Sequence, residues 1–161
     1  MNIVGVRIDG RLVHGQVANL WTPKLQVDRI IVIDEAASTD DIQKSGLRMA
    51  TPMTTRLSVL NYKVAADHIK NERYGKQRVF LVAKKPQEYL KLLDEGVELA
   101  SINVGTMSQT PTTKAVTKQI NVEQEDIEVF NKIAEKGVEL TAQLTPSDES
   151  HDFMKLLAAV K

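Results

Sequence analysis

The stretch Asp9 to Val17, DGRLVHGQV, gathers the residue types that phosphoryl chemistry needs. His14 offers a titratable nitrogen nucleophile, Arg11 stands three residues before it as a fixed cation, and Gly15 and Gln16 follow it. A neutral imidazole attacks phosphorus well. A guanidinium fork suits the equatorial oxygens of a transferring phosphoryl group, whose transition state is stabilised mainly by positioning and charge. If this loop opens a helix, the first unpaired backbone N–H groups of that helix face the same anion. The helix dipole and Arg11 would then both favour the uncharged ring with a free lone pair. Asp9 either orients His14 or Arg11 or caps the turn.

A loop of this kind works only if strands and helices hold it at a sheet edge. The apolar run Ile3, Val4, Val6, Ile8 predicts a strand before the loop, and Val13, Val17, Leu20 and Trp21 give a helical stripe after it, closed by Pro23. Asp28 to Asp34 and Val79 to Ala83 are nearly continuous β-branched or apolar runs, as in strands covered on both faces. Thr55 to Leu60, Leu99 to Val104, Lys114 to Ile120 and Val138 to Leu144 add further strands, the third as an outer one. Between them, Ser38 or Thr39 caps a helix with Ile42, Met49 and Ala50 as its apolar face. Asn61 caps another, and Pro86 opens a third that Gly96 ends. Asn121 starts the longest helix, stopped at Gly137, and Asp152 to Val160 forms a terminal one. Alternating strands and helices predict an α/β chain: a three-layer α/β/α sandwich on a mainly parallel sheet of about six or seven strands, in a single domain over 1–161. Ligands in such sheets bind beyond the carboxyl ends of the strands, where the first loop belongs. Asn103 and Gly105, in the turn NVGTM, would line the same crevice, rimmed by Arg11, Lys24 and the 106–113 loop.

Composition narrows the chemistry. With 21 basic and 21 acidic side chains the net charge is zero, which argues against a broad electrostatic grip on nucleic acid. Cysteine is absent, so thiol nucleophiles and Cys-based metal sites are excluded. No apolar run approaches the roughly 20 residues of a membrane span, and the N-terminus enters a strand pattern at once, so the expectation is a cytoplasmic protein without direct membrane insertion.

Other readings of the motif fail on particular residues. Gly10 and Gly15 carry the spacing of a nucleotide-binding P-loop, but Gln16 and Val17 stand where Lys and Ser or Thr are required. Asp34 and Glu35 at a strand end suit a Mg²⁺-dependent receiver domain, yet the first strand ends on Asp9 and Gly10 rather than an acidic pair. His68 and His151 have no ligand-like spacing to His14 and read as structural or solvated, so neither a metal nor a cofactor is expected.

DGRLVHGQV, preceded by RI and followed by Trp21, resembles the signature of the IIB components of the mannose/fructose/sorbose family of the bacterial phosphoenolpyruvate-dependent sugar phosphotransferase system. The resemblance extends through VIDE (32–35), DDIQK (40–44) and INVGTM (102–107), with Gly10 where relatives often carry Asp or Asn. It implies the α/β/α fold and an activity as a protein-Nπ-phosphohistidine–sugar phosphotransferase subunit. His14 would accept a phosphoryl group on Nδ1 from a phosphohistidine of a separate IIA protein, with Arg11 helping to hold it. The group would pass to a sugar taken up through the IIC and IID membrane components, which would tie the protein to the inner face of the membrane. The residues alone also admit a regulatory α/β domain that senses a phosphorylated metabolite in the same crevice without covalent chemistry.

Overall fold

In a computed structural model that describes residues 1–160, strands Asn2–Asp9 (β1), Arg29–Ile33 (β2), Arg56–Leu60 (β3), Arg78–Ala83 (β4), Ser101–Thr106 (β5), Glu139–Ala142 (β8) and His151–Asp152 (β9) form one sheet. Their order is β3-β2-β4-β1-β5-β8-β9, all parallel except β9, which runs against β8. Sequence order reverses across β1, so its carboxyl end opens onto the switch-point crevice of a doubly wound sheet.

Period-two alternation sends successive residues to opposite layers. Ile31, Ile33, Val79, Leu81, Ile102 and Leu140 join Ala65, Tyr89, Leu92, Phe130, Ile133 and Phe153 in one core. The helices supplying that layer are Tyr62–Lys70 (α4), Pro86–Asp94 (α5), Gln124–Glu135 (α6) and Phe153–Ala158 (α7). Ile30, Val32, Phe80 and Val82 pack on the other face against Leu12, Val13, Val17 and Trp21, a smaller second core. Three layers result, as the alternation of elements requires.

Several boundaries differ from expectation for local reasons. The helix after His14 is π-helical over Gln16–Trp21 before a short turn Thr22–Lys24 (α1). Its i→i+5 closure, seen in Thr22 N–H donating to Val17 O, winds wider than an α-helix and rotates Leu20 out to 44% exposure while Val17, Ala18 and Trp21 stay buried. Neither Ser38 nor Thr39 is an N-cap: Asp34 is the N-cap of Glu35–Ser38 (α2) and Asp40 that of Asp41–Ala50 (α3). The apolar residues of α3 do not make a core face, since the helix has no buried residue and Ile42 and Met49 are exposed. Lys114 to Ile120 is not a strand of the main sheet. Lys114–Ala115 (β6) and Asn121–Val122 (β7) pair as an antiparallel hairpin apart from it, and the longest helix begins after a Glu123 cap in a box with Asp126. Asn61, Pro86, Gly96 and Gly137 play their predicted roles, the two glycines at positive φ past the helix ends.

Candidate active site

β1 carries two buried charges into its carboxyl end. Arg7 and Asp9 sit two residues apart on one face, are 0% exposed, and meet through an Arg7 Nε–H bond to Asp9 Oδ2 of 3.2 Å. The chain then turns sharply: Leu12 N–H donates to Asp9 O at 3.0 Å, and Leu12 itself has φ of +59°. A leucine in the left-handed region costs about 1 kcal/mol or more, and the loop keeps it because Leu12 and Val13 are buried in the smaller core. That turn swings His14 back over the strand end, where its Nε2 lies 2.8 Å from Asp9 Oδ1.

Asp9 is the hub. Oδ1 also accepts from Thr106 Oγ1 at 3.0 Å and from the backbone N–H of Arg11 at 3.1 Å. Burial works to raise the Asp9 pKa, but the His14 hydrogen bond, the charges of Arg7 and His14 and the Arg11 N–H together outweigh it and hold the carboxyl below its ordinary value. An ionised carboxylate only accepts, so Nε2 of His14 must carry the proton of this bond. In the neutral ring the lone pair then belongs to Nδ1. That atom has no hydrogen-bond partner among the described residues and is not among their occluded polar atoms. The side chain is 18% exposed, with its free nitrogen reaching solvent.

Arg7 has supports of its own. Nη1 donates to Gln143 O at 3.0 Å and to Asn103 Oδ1, Nη2 donates to Leu144 O at 2.9 Å, and the guanidinium lies 5.0 Å from the Trp21 ring centre. Burial pulls its pKa down while Asp9 pulls it up, the net being lowered from a very high starting value. Gly105 makes room for this group, because a Cβ there would stand 2.1 Å from Nη2. At the same residue the pairing of β1 with β5 slips, so that Asp9 stands opposite Thr106 instead, which brings the Thr106 hydroxyl to the carboxylate.

The structure brings His14, Asp9, Arg11, Gly15 and Gln16 together and separates others from them. The Arg11 side chain is exposed and makes no hydrogen bond or ion pair among the described residues. The N–H groups of His14, Gly15 and Gln16 likewise have no acceptor there, so the loop offers an anion several free donors. Gln16 Oε1 is occluded with no partner among the described residues. Asn103 and Gly105 serve Arg7 rather than the open side of the imidazole. Lys24 does not rim the crevice: it precedes Leu25, whose carbonyl accepts from Arg78 at the amino end of β4, on the far side of the sheet. Helix polarity and Arg11 are not the ring's nearest electrostatic neighbours, a place that Asp9 takes.

Sequence reasoning missed Arg7, Lys84 and Lys85, and placed Thr106 on the crevice rim without its bond to Asp9. The two lysines follow the last residue of β4 and line a cavity with Gly10 and Ser108 beside the loop. A lone arginine within an apolar strand, two residues from an aspartate and on its face, was the available sign of the buried pair. Among the described residues no group of three or more His, Asp or Glu side chains is spaced to hold a metal ion.

A family model for "PTS system sorbose subfamily IIB component" matches residues 3–161. The chain is 32% identical to the fructose-specific EIIB component of the phosphotransferase system of Bacillus subtilis, covering 99% of this chain and 98% of that one. It is 31% identical to the mannose-specific EIIAB component of Escherichia coli over 98% of its own length and 49% of the relative's. The crystal structure of the IIBSor domain of the sorbose permease from Klebsiella pneumoniae superposes with a TM-score of 0.93 at 30% identity, covering 98% of this chain and 97% of that one.

Proposed function

Because this chain belongs to the sorbose-subfamily IIB components of the sugar phosphotransferase system, where it is a phosphocarrier subunit with phosphotransferase activity, we propose that His14 carries the phosphoryl group, on Nδ1. The observation behind this reading is the 2.8 Å bond between His14 Nε2 and Asp9. It occupies one ring nitrogen and leaves the other, with its lone pair, facing solvent.

In the loading step the Nδ1 lone pair forms a bond to phosphorus while the N–P bond of the donor phosphohistidine breaks and its electron pair returns to the donor ring. The His14 ring gains positive character as the bond forms, and the ionised Asp9, itself neutralised by Arg7, stabilises that charge at the opposite nitrogen. Arg11 and the free N–H groups of the loop hold the phosphoryl oxygens. In the unloading step a sugar hydroxyl forms the P–O bond, the P–N bond breaks, and His14 recovers its lone pair. The hydroxyl proton passes to the surroundings.

The donor in this reading is a IIA protein, and the half-length match to a relative described as EIIAB supports that partner. Delivery to sugar runs through IIC and IID membrane components, with the chain acting as one carrier domain on the cytoplasmic side. Among the described residues no helix is long and apolar enough to cross a membrane. Non-covalent sensing of a phosphometabolite in this crevice is not favoured by relatives that are phosphocarriers throughout. The test is intact mass after incubation with phosphoenolpyruvate, the general phosphotransferase proteins and a cognate IIA. One acid-labile phosphoryl group should be gained, and none in His14→Ala. An unchanged wild-type mass, or a gain that survives the substitution, overturns the proposal.

A further inference from the structure

A second set of cations lies away from the loop. Arg29 opens β2 and pairs in register with Arg56 on β3 and Val79 on β4, level with Ile3 of β1. Asp9 is six residues further along β1, so this row lies about 20 Å from the His14 end of the sheet. Arg29 Nε donates to Gln77 Oε1 at 2.8 Å, its Nη1 donates to Ser58 Oγ at 2.8 Å, and its guanidinium sits 4.3 Å over the Tyr74 ring centre. The group is therefore held in one place by neutral partners. Arg56 and Arg73 line the same groove and are exposed. Among the described residues none of the three has a carboxylate within 4.0 Å.

We propose that this groove, between edge strand β3, α4 and the 71–77 connection, binds a phosphate-bearing anion through Arg29, Arg56 and Arg73. Three guanidinium groups without a counter-ion repel one another, and burial followed by the charges of Arg56 and Arg73 lowers the Arg29 pKa against the opposing pull of Tyr74. A dianion relieves that repulsion, and guanidinium forks match phosphate oxygens in pairs. His68 borders the groove with Nδ1 bonded to Tyr74 Oη at 2.8 Å and, among the described residues, its Nε2 without a partner. Arginines on an edge strand also discourage strand pairing, but Arg29 is on the inner neighbour of β3 and is pinned in place, which that role does not need. The groove, about 720 Å³, exceeds what a bare ion needs and fits a phosphate ester of small-metabolite size or a lipid headgroup.

Titration of the full isotopically labelled chain with inorganic phosphate at constant ionic strength, followed by NMR, tests the site. The Nε–H signals of Arg29, Arg56 and Arg73 should shift together and saturate, equally in His14→Ala, which separates this groove from the catalytic loop. Arg56→Gln and Arg73→Gln, both at exposed positions, should each weaken binding about tenfold, the worth of one charge-assisted hydrogen bond. Shifts matched by chloride, or confined to residues 9–16, overturn the proposal. Co-sedimentation with phosphatidylglycerol vesicles, set against phosphatidylcholine, separates the sources. Binding lost in Arg56→Gln marks a headgroup ligand, and silent vesicles with saturable phosphate mark a free ester. Either response supports the site, and vesicle binding that Arg56→Gln leaves intact, without saturable phosphate shifts, overturns it.

Discussion

Substituting Asp9 by Asn removes one charge and leaves the side chain's shape. The carboxylate accepts four hydrogen bonds, from His14, Thr106, the Arg11 N–H and Arg7. An amide in the same place must turn its NH2 either to the Arg7 side, donor against donor, or to the three donors on the other side. The first arrangement is the less costly, and it leaves the fully buried Arg7 charge without a counter-ion. Breaking a buried ion pair in this way costs about 3–5 kcal/mol. With an m-value of about 2 kcal/mol/M, the urea midpoint should fall by about 2 M. Acid sensitivity gives a second reading. The folded Asp9 pKa is depressed, so its stabilising contribution is complete above the unfolded value of about 3.9 and is lost as pH falls through the lower folded value. Wild type should therefore lose more stability than Asp9→Asn between about pH 4 and the folded value. Phosphoryl transfer should slow as well, because the ring loses the acceptor that fixes its tautomer. A midpoint unchanged within about 0.3 M, with parallel acid limbs, would refute the claim that Asp9 is the hub.

Gly105→Ala places a Cβ against a guanidinium held on four sides, and should lower stability by about 1–3 kcal/mol by thermal denaturation, with transfer slowed in parallel. Arg11→Ala should leave the melting temperature unchanged, since the side chain has no partner to lose, and reduce the transfer rate about 10- to 100-fold in single-turnover assays. Glu88 has an occluded Oε2 with no partner among the described residues, and burial raises its pKa against the pull of Lys91, with Asp34 and Glu35 adding to the rise. A raised carboxyl destabilises the fold progressively as pH climbs from the unfolded value of about 4.3 and fully once it passes the folded value, so Glu88→Gln should stabilise at pH 7 and give no gain below the unfolded value. Equal effects at both pH values in urea titrations would contradict that account.

Much of this arrangement is legible in the residues. Continuous apolar strands, proline at a helix start and glycine past helix ends report local chemistry, and those elements stand where the sequence puts them. What was not legible depends on contacts made far along the chain. The buried Arg7 is stabilised by Asn103, Gln143 and Leu144, and no local pattern announces partners nearly a hundred or more residues away. Asn103 and Gly105 were legible as crevice residues, yet their work is to seat Arg7. The π-helical winding after His14 escapes the 3.6-residue period, which is why the apolar stripe Val13, Val17, Leu20 and Trp21 fails at Leu20. In α3 the apolar spacing of Ile42 and Met49 is genuine, but no layer of this chain covers it.

The central claim is that the bond to Asp9 leaves Nδ1 as the nitrogen that takes phosphorus. Nitrogen-15 correlation spectra of the phosphorylated chain, with the histidine rings labelled, read that position directly. Phosphorus is expected on Nδ1 of His14, with a proton retained on Nε2. Phosphorus on Nε2, or on any residue other than His14, would contradict it.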